Sequence, residues 1–292
     1  MSKAKRITGY LVTLTAVIAA GYVLSNMFSE YLFQPWTRDG HVRAQIIKIT
    51  PRVSGPIVDL PIHDNQKVQK GDLLFRIDPR TYELAIEQAE AKLQQALASE
   101  LVKQDQATRG KELYRKDRGA ISEQALVRKK NDLLVARANV QVAQSNLEKA
   151  RLDLEFTEVR APVDGYVTNL LLRYGSQTVA NQPALALIDS NSFWVHGYFK
   201  ETQVEYIRKD NKAVIKLMTY PDAPLEGVVE SMGWGIAQQD GAPAADLLPS
   251  IKPSFDWIRL AQRIPVRIRL THIPDEVDLR VGSSASVFIE TE

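Results

Sequence analysis

Histidine is the side chain best suited to metal ligation and to proton transfer near neutral pH, and this chain has four, His41, His63, His196 and His272. They fall in different segments, with no His-x-Glu or His-x-x-x-His spacing, so nothing presents two ligands on one helical face as a zinc site requires. His63 precedes Asp64 at a polar turn, where such residues stabilise the turn. Cysteine is absent, which excludes a disulfide framework, a thiolate metal site, a cysteine nucleophile and a lipidated N-terminal cysteine. Neither a Gly-x-x-x-x-Gly-Lys-Ser phosphate loop nor a Gly-x-Ser-x-Gly nucleophile elbow occurs. The residues therefore predict a protein that is not an enzyme and holds no metal and no cofactor.

If the chain works without covalent chemistry, its elements carry the function. Its 37 basic and 35 acidic side chains are mixed in sign, which argues against nucleic acid as a partner. The stretch from Ile7 to Ser29 carries no charge. As a helix it would span roughly 34 Å, enough to cross a hydrocarbon core of about 30 Å. Lys3, Lys5 and Arg6 precede it and Glu30 follows, so the positive-inside bias predicts a single-pass inner-membrane protein with its bulk beyond the membrane. A cleaved signal peptide fits less well, because the apolar core is long and Ile18-Ala19-Ala20 is a poor cleavage site.

Two segments repeat each other: VSGPIVDLPIHDNQKVQKGDLLFRID from Val53 and VDGYVTNLLLRYGSQTVANQPALALID from Val163. Each opens Val-x-Gly, at Gly55 and Gly165, passes a polar turn, and ends on Ile-Asp, at Asp78 and Asp189. The first also carries Gly71, and Val68 aligns with Val179. Short alternating strands between turn residues describe a β unit too small to bury a core alone, so the two halves are expected to close one sandwich together.

Between the halves the composition turns helical. Thr81 to about Arg118 contains no proline and is dominated by alanine, leucine, glutamate, glutamine and lysine. Gly119-Ala120-Ile121 supplies a turn, and Ser122 can accept the first free amide hydrogen bonds of a second helix running to about Glu155. Leu126, Leu133, Ala136, Val140, Ala143, Leu147, Ala150 and Leu154 form an apolar seam, and Tyr82, Ile86, Ala89, Leu93 and Ala96 continue it on the first helix. An antiparallel coiled-coil hairpin about 55 Å long is the expectation.

Val-x-Gly-x-Val half-motifs, an intervening helical hairpin and Arg160-Ala161-Pro162-Val163-Asp164-Gly165 at the return resemble the periplasmic adaptor proteins, the membrane fusion or hemolysin-D-like family. WTRDGHVRA from Trp36 and WIRLAQRIPVRIRL from Trp257 resemble the subgroup typified by the p-hydroxybenzoic acid efflux adaptor. The resemblance implies a mainly β, multi-domain chain with a lipoyl-like sandwich split by the hairpin, then a β-barrel and a membrane-proximal β domain. It further implies a homo-oligomeric ring, a trimer or hexamer, linking an inner-membrane transporter to an outer-membrane channel in a tripartite efflux pump. The family's hairpin tip carries an arginine, a leucine and a serine that contact the channel. Ser122 matches, and Arg109 with Leu113 keeps their mutual spacing, but Leu113 lies two residues too far from Ser122 and Arg115 stands at the leucine position instead. Arg118, Gly119 and Ile121 complete the expected tip. The turn that bears the modified lysine in lipoyl carriers is replaced here by the hairpin. Lys70 lies elsewhere, so no lipoylated carrier is expected.

This reading divides the chain into residues 1–30 (cytoplasmic tail and anchor), 31–50 (linker and a membrane-proximal or barrel strand), 51–78 with 161–191 (the lipoyl-like halves), 79–160 (the hairpin) and 192–292 (barrel and membrane-proximal domain). From about Ser192 the sequence reads as β structure, and Val42 to Thr50 and the C-terminus from Val281 are expected to pair with it. In PVRIRL, Arg267 and Arg269 alternate with apolar residues and read as the wet face of a strand, with a partner or a pore as the alternative. Gln238 to Ser254 reads as a long exposed loop. A membrane-anchored envelope scaffold or signalling protein that spaces two layers is the other function these elements allow.

Overall fold

A computed structural model describes residues 13–18, 20–22, 34–235, 261–274 and 276–291. The expected loop from Gln238 to Ser254 lies outside the described residues, as does most of the apolar stretch from Ile7 to Ser29, of which residues 13–18 and 20–22 are helical. No helix among the described residues is long and apolar enough to cross a membrane. The chain forms two compact units, Ile46–Asn191 and a second built from Met1–Gln45 with Ser192–Glu292.

The first unit contains two four-stranded sheets and two long helices. The strands are β2 (Ile46–Ile49), β3 (Gly55–Asp59), β4 (Lys67–Val68), β5 (Leu73–Ile77), β6 (Glu158–Arg160), β7 (Gly165–Thr168), β8 (Gln177–Thr178) and β9 (Leu185–Asp189). One sheet runs β2-β9-β7-β4 and the other β6-β5-β3-β8. The repeated segments have traded strands: β4 of the first copy pairs with β7 of the second, and β8 of the second pairs with β3 of the first. Neither copy completes a sheet alone. Val53, Ile57, Val68, Leu74 and Ile77 from one half and Val167, Leu185 and Leu187 from the other fill a single core.

The structural equivalence differs by one residue from the alignment of Val68 with Val179. Gly55 and Gly165, Asn65 and Gly175, and Gly71 and Asn181 are each 110 positions apart, and the last four all take positive φ. By the same offset Val68 corresponds to Thr178. Both are buried, whereas Val179 is 47% exposed. A hydroxyl is tolerated there because Thr178 Oγ1 donates to the Gly55 carbonyl at 2.9 Å.

Helix α1 (Arg80–Lys116) follows β5 and helix α2 (Glu123–Glu155) precedes β6. Arg137 meets Glu100, Arg151 meets Glu90 and Lys103 meets Asp132, so the helices lie side by side in opposite directions. Ala89, Ala136 and Leu147 are buried between them. Alanine in such a seam allows close approach at little cost in side-chain entropy.

The second unit is a closed barrel in the order β1-β10-β13-β12-β11-β14. Its strands are β1 (Trp36–Arg43), β10 (Trp194–Lys200), β11 (Lys212–Leu217), β12 (Leu225–Met232), β13 (Arg263–His272) and β14 (Ser284–Ile289). Val195, Phe199, Ile215, Val229, Val266 and Ile268 alternate inward and are fully buried. All the described strands outside the first unit are used in this closure, so among the described residues no second, membrane-proximal β domain forms beside the barrel. Closing one barrel takes six strands of six to ten residues each. The expected 42–50 segment divides: Val42 and Arg43 end β1, whereas β2 pairs with β9 in the sandwich. The chain leaves strand geometry at Ala44-Gln45, and the Gln45 amide donates to Ser192 Oγ at 2.8 Å, not to a neighbouring strand.

Candidate functional site

The helix pair is rooted in the sandwich by a cluster of short-range polar contacts. Asp78, at the end of β5, accepts hydrogen bonds from the Arg80 amide at 3.1 Å and from Arg80 Nε at 3.0 Å. Those bonds from Arg80, the side-chain one above all, hold the Asp78 carboxyl below its ordinary range. Tyr82 OH donates to the Ser54 carbonyl at 2.7 Å, and Arg52 stacks over Phe156 at 4.5 Å at the foot of α2. Glu158 of β6 takes a hydrogen bond from Arg160 at 2.7 Å and pairs with Arg76 of β5 at 3.1 Å. The Arg160 bond first, then the two cationic charges, lowers the Glu158 pKa. Strand-to-helix and helix-to-strand junctions thus sit side by side and are tied to one another.

The half-motif glycines serve close approach. A Cβ at Gly165 would lie 2.1 Å from the Ile188 carbonyl oxygen, and one at Gly55 would lie 2.6 Å from Ile77 Cγ2. Gly71 takes φ +95° in the turn before β5, a conformation side-chain-bearing residues rarely adopt. Asp189 ends β9 opposite Gly165 and accepts from the Asn191 amide at 2.8 Å. Asp164 of the return segment accepts from the Lys70 amide at 2.7 Å, so Lys70 is a turn residue tied to the other half. The Asp64 carboxylate likewise crosses to the Leu170 amide at 3.1 Å, and the His63 amide donates to Gln66 Oε1 at 2.8 Å.

At the far end of the helices, α1 stops where Asp117 turns extended, its amide still reaching the Leu113 carbonyl at 2.9 Å. The Asp117 carboxylate accepts from the Gly119 amide at 2.8 Å, closing a tight turn. Ser122 caps α2, its Oγ accepting from the Ala125 amide at 3.2 Å. The turn thus gathers Gly119, Ile121 and Ser122, with Arg118 exposed on it. Arg109, Leu113 and Arg115 stand on α1 before it, all exposed. Arg109 is paired with Asp105 one turn back, and Leu113 is 51% exposed. Ile121 alone among them is half-buried. A Cβ at Gly110 would approach Lys129 Cδ at 2.9 Å and Ile121 at 3.8 Å. The missing side chain at Gly110 therefore leaves room for the Lys129 and Ile121 side chains against α1. The sequence signal for this is a single glycine inside an otherwise strong helix-forming stretch.

Charge is segregated along the pair. Residues 109–130 carry eight lysines and arginines against three carboxylates, a net +5, whereas 80–108 with 131–155 carry six against nine, a net −3. The interhelical ion pairs occur in the acidic part. Lys111, Arg115, Lys116, Arg118, Arg128 and Lys130 are exposed, and none is among the ion pairs of the described residues.

On the barrel, Arg267 lies 2.6 Å from Glu230 and its guanidinium stacks 4.1 Å over Trp194. His196 beside it has its pKa lowered, first by burial and then by the charges of Arg267 and Arg43. His41 pairs with Asp39 at 3.1 Å. Among the described residues, no group of three or more histidine, aspartate and glutamate side chains is placed to hold a metal ion.

Comparison with known proteins bears on both units. Residues 45–190 match the family model of the RND MFP barrel-sandwich hybrid domain, and residues 192–290 match that of the AAEA-like beta-barrel domain. The uncharacterized protein YdhJ of Escherichia coli K12 is 39% identical over 277 residues, covering 94% of this chain and 96% of its own. Two solved structures share the fold at low identity. The membrane fusion protein Spr0693 of Streptococcus pneumoniae R6 is 16% identical with a TM-score of 0.60, over 87% of this chain and 98% of that one. MacA of Actinobacillus actinomycetemcomitans is 20% identical with a TM-score of 0.54, over 89% and 79%.

Proposed function

The chain belongs to the membrane fusion proteins, the periplasmic adaptor family, and from that premise we propose that it is the adaptor of a tripartite efflux pump. Anchored in the inner membrane by the segment from Ile7 to Ser29, it reaches across the periplasm from a transporter to an outer-membrane channel. The observation that carries this reading is the sandwich of strand-exchanged halves that holds the roots of a long helix pair, whose basic tip carries Lys111, Arg115, Lys116 and Arg118 outside the ion pairs of the described residues. Neither half folds without the other, so the helix roots are held together by the same contacts that build the core. The pair acts as an antiparallel coiled-coil hairpin, and its tip, from Arg109 and Leu113 through Arg115, Arg118, Gly119 and Ile121 to Ser122, is the channel contact. A net +5 at that tip favours a channel rim lined with carboxylates, because opposite potentials steer docking and set its register.

Copies side by side form a ring, a trimer or hexamer, through which substrate passes without escaping. The chain does this by geometry, with no covalent step, no cofactor and no energy source of its own. Aromatic carboxylic acids or drugs are the proposed cargo, the former from the resemblance of the Trp36 and Trp257 segments to the p-hydroxybenzoic acid efflux adaptors. The test is deletion of the gene together with its neighbours, followed by accumulation measurements over a panel that includes aromatic acids. Increased retention of at least one compound is expected; unchanged accumulation across the panel rejects the reading.

A further inference from the structure

Among the described residues, every exposed phenylalanine, tyrosine and tryptophan of the barrel stands at one end of it. At that end β1 begins at Trp36, β10 finishes at Lys200, β13 starts at Arg263 and β14 finishes at Ile289, because neighbouring strands run in opposite directions around the closed sheet. Trp36 and Phe288 are cross-strand partners and both are exposed. A short helix, α3 (Glu201–Val204), and the turn after it close the barrel here: Ile207 is fully buried in the barrel core, while Tyr206 beside it is exposed. Trp234, two residues beyond the end of β12, is fully exposed. β12 is three strands from β1 in either direction, so Trp234 stands across the barrel from Trp36. At the opposite end, where β1 finishes at Arg43 and β10 starts at Trp194, Trp194 and Tyr220 are half-buried and the exposed apolar residues are Met218 and Ile273.

The aromatic end is also the one nearest in the chain to the apolar stretch. Six residues, Glu30 to Pro35, separate Ser29 from Trp36, so at most about 25 Å of chain lies between those two. Tryptophan and tyrosine concentrate at membrane–water interfaces, which accept an apolar ring and a polar tip together. The charges of this end are mixed and suit a zwitterionic headgroup layer: Lys200, Arg208, Lys209, Lys212 and Arg263 are exposed beside Glu201, Glu205, Asp210 and Glu290. A recess of about 650 Å³ next to Tyr206 is lined by Arg208 and Lys209, by Glu205 and Asp210, and by Asn211 and Thr291. It offers partners of both signs, as a phosphate with its own ammonium group requires.

From this we infer that the end of the barrel carrying Trp36, Tyr206, Trp234 and Phe288 rests in the phospholipid headgroup layer of the membrane that holds the anchor. The inference rests on the anchor of the adaptor reading and adds the surface by which the barrel itself meets lipid.

Tryptophan quenching tests this in the full chain, reconstituted alone in vesicles of phosphatidylethanolamine and phosphatidylcholine that include lipid brominated near the headgroup end of the acyl chain. Variants keep one tryptophan, with phenylalanine at the other three positions. Trp234 should be quenched several-fold more than Trp194, at the far end of the barrel. A tether alone brings Trp36 to the membrane but not Trp234, so quenching of Trp36 without Trp234 overturns the inference, as does equal quenching of Trp234 and Trp194. The second probe uses two exposed positions and the absence of native cysteine. A spin label on Tyr206→Cys should be relaxed more by lipid-soluble oxygen, and less by a water-soluble nickel chelate, than one on Met218→Cys. Equal ratios at the two positions overturn the inference, and so does shielding of Tyr206→Cys that arises only when an inner-membrane transporter is added to the vesicles. Flotation of the chain with the vesicles while Trp234 stays unquenched removes this contact only, whereas failure to float removes the anchor and the contact with it. Loss of channel capture at the tip with Trp234 quenched removes the adaptor reading only.

Discussion

Replacing Gly165 by alanine places a methyl where the chain has none to give. The new Cβ would sit 2.1 Å from the Ile188 oxygen and 3.0 Å from its carbonyl carbon. Ordinary contact begins near 3.4 Å, so β9 must retreat by more than about 1 Å, within a ladder where Gly165 faces Asp189 and Tyr166 faces Ile188. Overpacking a core costs about 1–3 kcal/mol, and more when backbone must move; about 3 kcal/mol or more is expected here. Gly55→Ala differs in kind, because its 2.6 Å contact is with the Ile77 side chain. It should cost about 1–3 kcal/mol, and Ile77→Ala, itself costing about 2–5 kcal/mol, should relieve it in a double-mutant cycle. No side-chain change should rescue Gly165→Ala. All four tryptophans, Trp36, Trp194, Trp234 and Trp257, lie outside residues 46–191 and both long helices lie inside. Denaturant unfolding followed at 222 nm therefore reports the sandwich and its helices, while tryptophan fluorescence reports the other unit. A Gly165→Ala cost below about 0.5 kcal/mol, or one that falls equally on both signals, would refute the close-approach reasoning.

Other perturbations have defined outcomes. Asp78, held below the ordinary carboxylate range by Arg80, contributes stability that is present above its unfolded value of about 3.9 and lost as pH falls through the folded value; Asp78→Asn should flatten the acid limb of the 222 nm stability curve. His196 has a folded pKa below 6.5, so below about that pH the unfolded chain takes up a proton that the barrel refuses. Barrel stability by fluorescence should decline from there toward acid, less steeply in Arg267→Gln. Ser122→Ala removes the cap of α2 and should cost about 1 kcal/mol, read as faster amide exchange at Ala125 than in the parent. Gly110→Ala gains up to about 1 kcal/mol of helix propensity against a contact with the flexible Lys129 chain, so thermal unfolding should shift upward or stay level, whereas Gly110→Leu should separate the helices and lower it.

The long helices were legible because their composition leaves no alternative. Expected at about 81–118 and 122–155, they run from Arg80 to Lys116 and from Glu123 to Glu155, with Ser122 as the cap. The β character of the chain from about Ser192 was legible, and the alternation of PVRIRL marks part of β13 in the barrel. That the repeated halves complete each other was legible from their size; that they exchange β4 and β8 was not, since two-residue strands carry no pattern. The equivalence of Val68 with Thr178 was hidden because a buried hydroxyl bonded to a carbonyl reads as polar surface. The switch of β2 into the sandwich was hidden because Ile46–Ile49 alternates as well for one sheet as for the other. At the tip, charge and capping could be read residue by residue, but the pairing of Arg109 with Asp105 and the approach at Gly110 depend on where the second helix lies.

The most direct measurement is capture from the tip in living cells. With a photo-reactive amino acid in place of Ser122, the adaptor reading predicts one dominant adduct, identified by mass spectrometry as an outer-membrane channel protein and diminished by Arg115→Glu with Arg118→Glu. Adducts with peptidoglycan or regulatory proteins alone, with the channel never captured, would contradict it.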